Sequence, residues 1–164
     1  MKIKSFLIMT IVLFSVWILL NNSFNPIILI IGVGVSVSIA LLLCNKCSVF
    51  NQIKLSPKSF VYSIVFTFVF LIELIKSNFD VAYRVISPKL PINPGIVKVK
   101  TTLTSEIGRM ILANSITLTP GTLSIDIHEE FIYVHWINVE DRDVDAATEA
   151  IVNKFEKYLK EIYG

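Results

Sequence analysis

The chain has 164 residues, 54% of them hydrophobic, and a formal net charge of +2 at pH 7. The apolar share exceeds the roughly 45–50% of a soluble domain, and the excess is uneven. Residues 1–75 hold nearly all the long apolar runs, residues 96–164 read as an ordinary soluble domain, and so small a net charge gives no reason to expect nucleic acid as a partner.

Phe6 to Leu20 is uncharged, interrupted only by Thr10 and Ser15, and Ile27 to Cys44 is a second uncharged run. With their flanks both approach the ~20 residues a spanning helix needs. Hydrocarbon offers backbone amides no partner outside a helix, and the polar turn at residues 21–26 is short, so the two runs form an antiparallel hairpin. Gly32 and Gly34 are small enough for close helix contact, and the hairpin carries Ser36 and Ser38 but no carboxylate. No small-residue cleavage site follows Leu20, and a second apolar run comes at once, which favours a retained anchor over a signal peptide. Cys44 and Cys47 form a C-x-x-C pair without the further ligands of a structural zinc site or the βαβ setting of a redox motif.

The third run, Phe60 to Ile75, is also long enough to span. Its continuation carries a polar stripe at helical spacing: Ser63, Thr67, Glu73, Ser77, Asp80 and Arg84. Lys2 and Lys4 precede the first helix, Lys46, Lys54 and Lys58 follow the second, and the turn between them has no positive charge. The positive-inside rule therefore puts both open ends of the hairpin in the cytoplasm. A third crossing would send Lys76, Arg84, Lys89, Lys98 and Lys100 outside, against the rule. The alternative is an amphipathic helix along the interface or against a partner, its stripe sliding out along a surface, with the C-terminal domain inside. Glu73 with Lys76, and Asp80 with Arg84, are spaced to pair on this helix, and an interfacial anchor is the plainer role for them than an ion path.

Residues 87–95 hold Pro88, Pro91 and Pro94 and should be an extended connector. Ile96–Lys100 alternates as a strand. Ser105–Asn114 suits a helix capped by Thr104 or Ser105, with Leu103, Ile107, Met110, Ile111 and Asn114 on one face. Thr122–Ile127 alternates again, with Leu123, Ile125 and Ile127 on one face and Thr122, Ser124 and Asp126 on the other. Phe131–Val139 is the next strand, and Asp143–Tyr163 a periodic helix with Val144, Ala147, Ile151, Phe155, Tyr158, Leu159 and Ile162 on its apolar face. The fold class expected is a membrane α-helical hairpin plus a third apolar or amphipathic helix, then a small α+β (β-α-β-β-α) domain. The boundaries are 1–86 for the membrane region (helices about 5–21, 26–44 and 59–86), 87–95 for the linker and 96–164 for the domain.

Phe131–Ile137 is apolar on both faces, so the sheet face away from the helices should meet a partner protein or the membrane surface. Pro120-Gly121 fits a turn in which glycine supplies a positive φ. The hydroxyls around it either satisfy freed backbone groups or form a contact surface. The candidate contacts with a neighbouring subunit or the interface are Glu73, Lys76, Asp80, Arg84, Asn114, Thr117, Thr119, Pro120, Gly121, Thr122 and Trp136. No catalytic, cofactor-binding or metal-ligating set can be assembled: His135 reads as a sheet histidine, and no phosphate-binding glycine loop occurs.

"LIELIKSNFDVAYRVISP" (Leu71–Pro88), "LANSITLTPGTLSIDI" (Leu112–Ile127) and "YVHWINV" (Tyr133–Val139) resemble the E-type (MnhE) component of the multisubunit Na+/H+ antiporters of the Mrp or Mnh type. The resemblance covers essentially the whole chain. Related subunits belong to membrane-bound hydrogenase and sulfur-reducing complexes of archaea, and these motifs do not separate the settings. The Cys44/Cys47 pair is outside the family's pattern. The resemblance implies an accessory subunit of a cell-membrane complex, multi-pass and not an enzyme, with the ion paths in larger subunits. Other subunits and the lipid bilayer would be its partners. A stand-alone membrane-anchored binding module is the remaining alternative, and it would need a pocket of convergent polar groups.

Overall fold

The computed structural model describes residues 3–43 and 56–164. Cys44 and Cys47, and with them any role for the C-x-x-C pair, lie outside the described residues. The chain divides into two compact units, residues 1–53 and 54–164.

The first unit is a helical hairpin of α1 (Ile3–Asn21) and α2 (Pro26–Leu43). Both helices are long and apolar enough to cross a membrane. Thr10 and Ser15 return their hydroxyls to the carbonyls of Phe6 and Ile11, so neither leaves a polar group open to lipid. Asn25 starts α2 by accepting from the Ile27 N–H. The two helices are locked by Trp17, whose indole N–H donates to the Ile28 carbonyl at 3.0 Å. Gly32 makes room for that ring: a Cβ there would fall 2.3 Å from Trp17 Cδ1. Gly34 faces open space and makes no such contact. Ser36 and Ala40 continue the buried seam.

The second unit begins with α3 (Pro57–Ile86), a 30-residue helix capped by Ser56 and also long and apolar enough to cross a membrane. It is followed by β1 (Gly95–Lys100), α4 (Glu106–Leu118), β2 (Thr122–His128) and β3 (Phe131–Trp136). The chain ends in α5 (Val144–Thr148), a π-helical turn at Glu149–Asn153, and α6 (Lys154–Tyr163). The sheet is antiparallel with order β1-β3-β2. Composition suggests a boundary at the proline connector. Packing instead groups α3 with the sheet, because Tyr62, Phe66 and Phe70 lie against the core. Phe66 and Phe70 both lie 6.3 Å from the Phe155 ring.

β3 is the central strand. Ile132 and Val134 point into the core, while Phe131, Tyr133 and His135 are half-buried on the opposite face. Val97 and Val99 of β1 sit opposite Val134 and Ile132. The strand ends at Trp136, three residues before the Val139 expected. Beyond it Ile137 donates its N–H to the Gly121 carbonyl, and Val139 to that of Asn93.

Two face assignments are corrected by local irregularities. A β-bulge between Ser124 and Asp126 puts Leu123 opposite His135 on the outer face but Ile127 opposite Ile132 on the core face. Leu123 and Ile127 therefore do not share a face. On α4 the buried residues are Ile107, Gly108, Leu112, Ala113, Ser115 and Ile116, and Met110 and Asn114 turn outward. Ser115 can be buried because its hydroxyl donates to the Ile111 carbonyl, and Gly108 admits Tyr163.

The π turn interrupts what the sequence presents as one continuous helix. Ala147, Ile151, Phe155 and Leu159 recur every fourth residue and are all buried. On a straight α-helix a four-residue step drifts about 40°. The wider π turn absorbs that drift and keeps the row on the core. It also brings in Val152 and Glu156, which are buried. Glu156 Oε1 accepts from the Thr101 and Thr102 hydroxyls and from the N–H groups of Thr102 and Leu103.

Candidate subunit-contact site

The Thr119–Thr122 stretch is a tight turn. The Thr122 N–H donates to the Thr119 carbonyl, Pro120 fixes the first central position, and Gly121 takes the second with φ +92°. A side chain on Gly121 would also meet Ile137 Cγ2 at 3.0 Å and Val81 Cγ2 of α3 at 3.6 Å. The hydroxyls are spent on the protein's own backbone. Thr119 Oγ1 donates to Ser115 O, Thr122 Oγ1 to Ile116 O and Thr119 O, and Ser124 Oγ to Ala113 O. Thr117 Oγ1 accepts from the Ser124 N–H. α4 thus continues to Leu118 through a stretch that alternates in sequence, because the Ser115 and Ile116 carbonyls near its end find nearby hydroxyls.

α3 runs past this turn. Much of its polar stripe faces the domain: the Glu73 and Arg84 side chains are only 20% and 16% exposed, while Thr67 and Asp80 stay open. Glu73 pairs with Lys76 at 3.0 Å and with Lys154 at 3.3 Å, tying α3 to the start of α6. Arg84 grips both Asp80 oxygens, through Nε at 2.7 Å and a second nitrogen at 3.1 Å. Its third nitrogen donates to the Pro91 carbonyl at 2.7 Å and so fastens the proline connector to the helix.

These residues enclose a cleft of about 220 Å³ lined by Lys76, Asp80, Arg84, the Thr119–Thr122 turn, Trp136, Glu140 and Lys154. Eight of the eleven sequence candidates therefore meet in one place, and Glu73 adjoins it through Lys76 and Lys154. Asn114 and Thr117 do not join them. They line a separate groove of about 380 Å³ between α4 and β2, with Ser124, Ile125, Asp126 and Ile127. Sequence reasoning missed Lys154 and Glu140. The only signal for Lys154 was its place one turn after Ile151 on a helix whose partner was unknown.

The cleft's charges are matched, three cationic side chains against Glu73, Asp80 and Glu140, and most are already paired. Such an arrangement holds elements together. It offers no activated nucleophile or general base. Among the described residues no group of three His, Cys, Asp or Glu side chains could hold a metal ion.

A family model described as "Na+/H+ ion antiporter subunit" matches residues 10–162, which include all three motif stretches. The E component of the Na+/H+ antiporter of Alkalihalophilus pseudofirmus is 32% identical over 158 residues, 95% of this chain and 96% of that one. The E1 component of the Staphylococcus haemolyticus antiporter is also 32% identical, over 163 residues and the same shares. Among solved structures, a chain of the membrane-bound sulfane sulfur reductase, an archaeal respiratory membrane complex, superposes with a TM-score of 0.84. It is 45% identical, and the match covers 96% of this chain and 98% of that one. A full-length family match and relatives aligned almost end to end lead to one conclusion: the chain belongs to the MNHE family of Na+/H+ antiporter subunits.

Proposed function

We propose that the chain is an accessory, structural subunit of a multisubunit cation/proton antiporter in the cell membrane, supporting exchange without carrying an ion path or catalysing a reaction. The observation that carries this reading is the use of its ionisable groups. Those nearest the apolar segments are already paired: Glu73 with Lys76 along α3 and with Lys154 of α6, and Arg84 with Asp80 and the Pro91 carbonyl. The hairpin helices α1 and α2 contain no Asp or Glu. An ion path needs ionisable groups along a wet route at membrane depth. The eleven contact candidates act here mostly by building the unit that a neighbouring subunit meets. The charge bias around the hairpin supports a cytoplasmic location for that unit.

A second reading has its own support. The respiratory-complex chain is more alike in sequence than the two antiporter relatives, at 45% against 32% identity. On that reading the chain is the corresponding subunit of a membrane-bound sulfur-reducing or hydrogenase complex, with the same structural role. Affinity purification of the tagged full chain from native membranes, with identification of its companions, tests both. Large antiporter-type membrane subunits alone support the first reading. Iron–sulfur or other electron-transfer subunits beside them support the second. A chain that purifies alone as a well-behaved monomer contradicts both.

A further inference from the structure

We infer that the outward face of α3 is a lipid-binding surface, and that the helix lies in the plane of the membrane interface without crossing the bilayer. The inference rests on the chain's residence in a membrane and not on which complex it joins.

The first observation is that the helix is amphipathic in the reverse sense. Its polar and small residues Ser59, Ser63, Glu73, Ser77 and Arg84 face the domain. The opposite half of the helix is mostly apolar and open, and its polar residues Thr67 and Asn78 return their side chains to the Ser63 and Leu74 carbonyls. Phe60 is 69% exposed, Phe68 63%, Ile75 57% and Phe79 74%. At about 1.5 Å per residue the helix is about 45 Å long. An apolar strip of that length on a water-facing surface is a binding face.

The second observation decides the occupant's geometry. Domain groups touch α3 along nearly its whole length. Ser59 Oγ donates to the Glu161 carbonyl, Lys58 pairs with Glu161, and Glu73 pairs with Lys154. Val81 faces Gly121, and Arg84 holds Pro91. A crossing helix would drag this flank into hydrocarbon, with Lys157 and Lys160 on α6 exposed there. Charge at that depth is costly. A helix lying flat keeps the flank in water while the strip enters the acyl boundary.

The third observation is the rim. Lys58 and Lys76 lie about five turns apart on one edge of the strip, with side chains 64% and 68% exposed. From there their stems can cover apolar surface while their ammonium groups, paired with Glu161 and Glu73, stay at the aqueous edge of the strip. The hairpin tethers the same chain to a bilayer, so lipid is present at high effective concentration.

The test uses the full chain, in membranes, with Cys44→Ser and Cys47→Ser. Single cysteines replace Ile64, Phe68, Ile75 or Phe79 and carry a nitroxide spin label. Depth is read from the collision rates with oxygen and with a water-soluble nickel chelate. We expect all four positions to sit at one shallow depth, about 5–10 Å below the headgroup boundary. A depth that changes along the series, which spans about 22 Å of helix, would mean a crossing helix and overturn the inference. Labels shielded from both reagents would mean a protein partner on this face and overturn it equally. Lipid-phase carbene labelling of the unaltered chain, mapped residue by residue, reads the same surface without substitutions. Modification at Phe60, Phe68 and Phe79 but not at Tyr62, Phe66 and Phe70 agrees with it, and no modification on α3 contradicts it.

Discussion

Gly121 is the residue on which most of the cleft depends. Its φ of +92° is a conformation that β-branched residues resist, and Ile137 leaves no room for a side chain. Gly121→Val should therefore cost about 1–3 kcal/mol. The readout is faster amide exchange across β2 and β3, with the mutant chain depleted from the assembled complex while the hairpin still inserts. Glu156 is a second such residue. Its carboxylate supplies the acceptor for two backbone N–H groups and two hydroxyls at residues 101–103. Each buried donor left without a partner costs about 1–3 kcal/mol. Glu156→Ala should lower the thermal stability of the domain more than Glu156→Gln, which keeps one acceptor oxygen. Nothing in the sequence singled out Glu156, because a Glu on a helix of alternating charge reads as solvated until the loop that caps it is known. Gly121, by contrast, was legible from the Pro-Gly pair alone.

At the scale of elements, local signals and packing divided the information. The helices, the order β-α-β-β-α and the Ser105 cap follow from apolar period, turn residues and capping chemistry, and the structure has them. The bulge at Ser124/Asp126 and the π turn at Glu149–Asn153 were hidden because each changes the period by one residue inside an otherwise regular pattern. The orientation of α3 was hidden for a different reason. Its stripe of Glu73, Ser77, Asp80 and Arg84 is what a water-facing stripe looks like, and only the partner groups Lys154 and Pro91 reveal that much of it faces inward. Phe155 is the element-scale test. It is fully buried between the core and the Phe66 and Phe70 rings of α3. Phe155→Ala should cost about 3–5 kcal/mol and should loosen α3 as well as α6, seen as raised exchange of amides in both helices. Loosening confined to α6 would mean that α3 is held by something other than this contact.

For the whole molecule, the distribution of charge is the guide to function. A hairpin whose helices lack acidic groups is joined to a unit in which Glu73, Asp80, Arg84 and Lys154 are spent on ion pairs, and its relatives are subunits of larger membrane machines. The C-terminal unit should react from the cytoplasmic side: a cysteine introduced at an exposed position such as Glu140 should resist a membrane-impermeant thiol reagent in intact cells and react in inverted vesicles. Labelling from outside intact cells would reverse the topology. The sharpest question is whether any group of this chain carries the transported ion, and Glu73, a carboxylate on the apolar helix that adjoins the cleft through Lys76 and Lys154, is the candidate to test. The decisive measurement is cation-driven proton exchange in membrane vesicles holding the Glu73→Gln complex, normalised to subunit content by blot. If Glu73 only anchors α3 through partly exposed pairs, worth about 0–1 kcal/mol each, exchange per assembled complex should stay close to that of the unaltered protein. Full assembly with exchange abolished would contradict this and place the ion path in this chain.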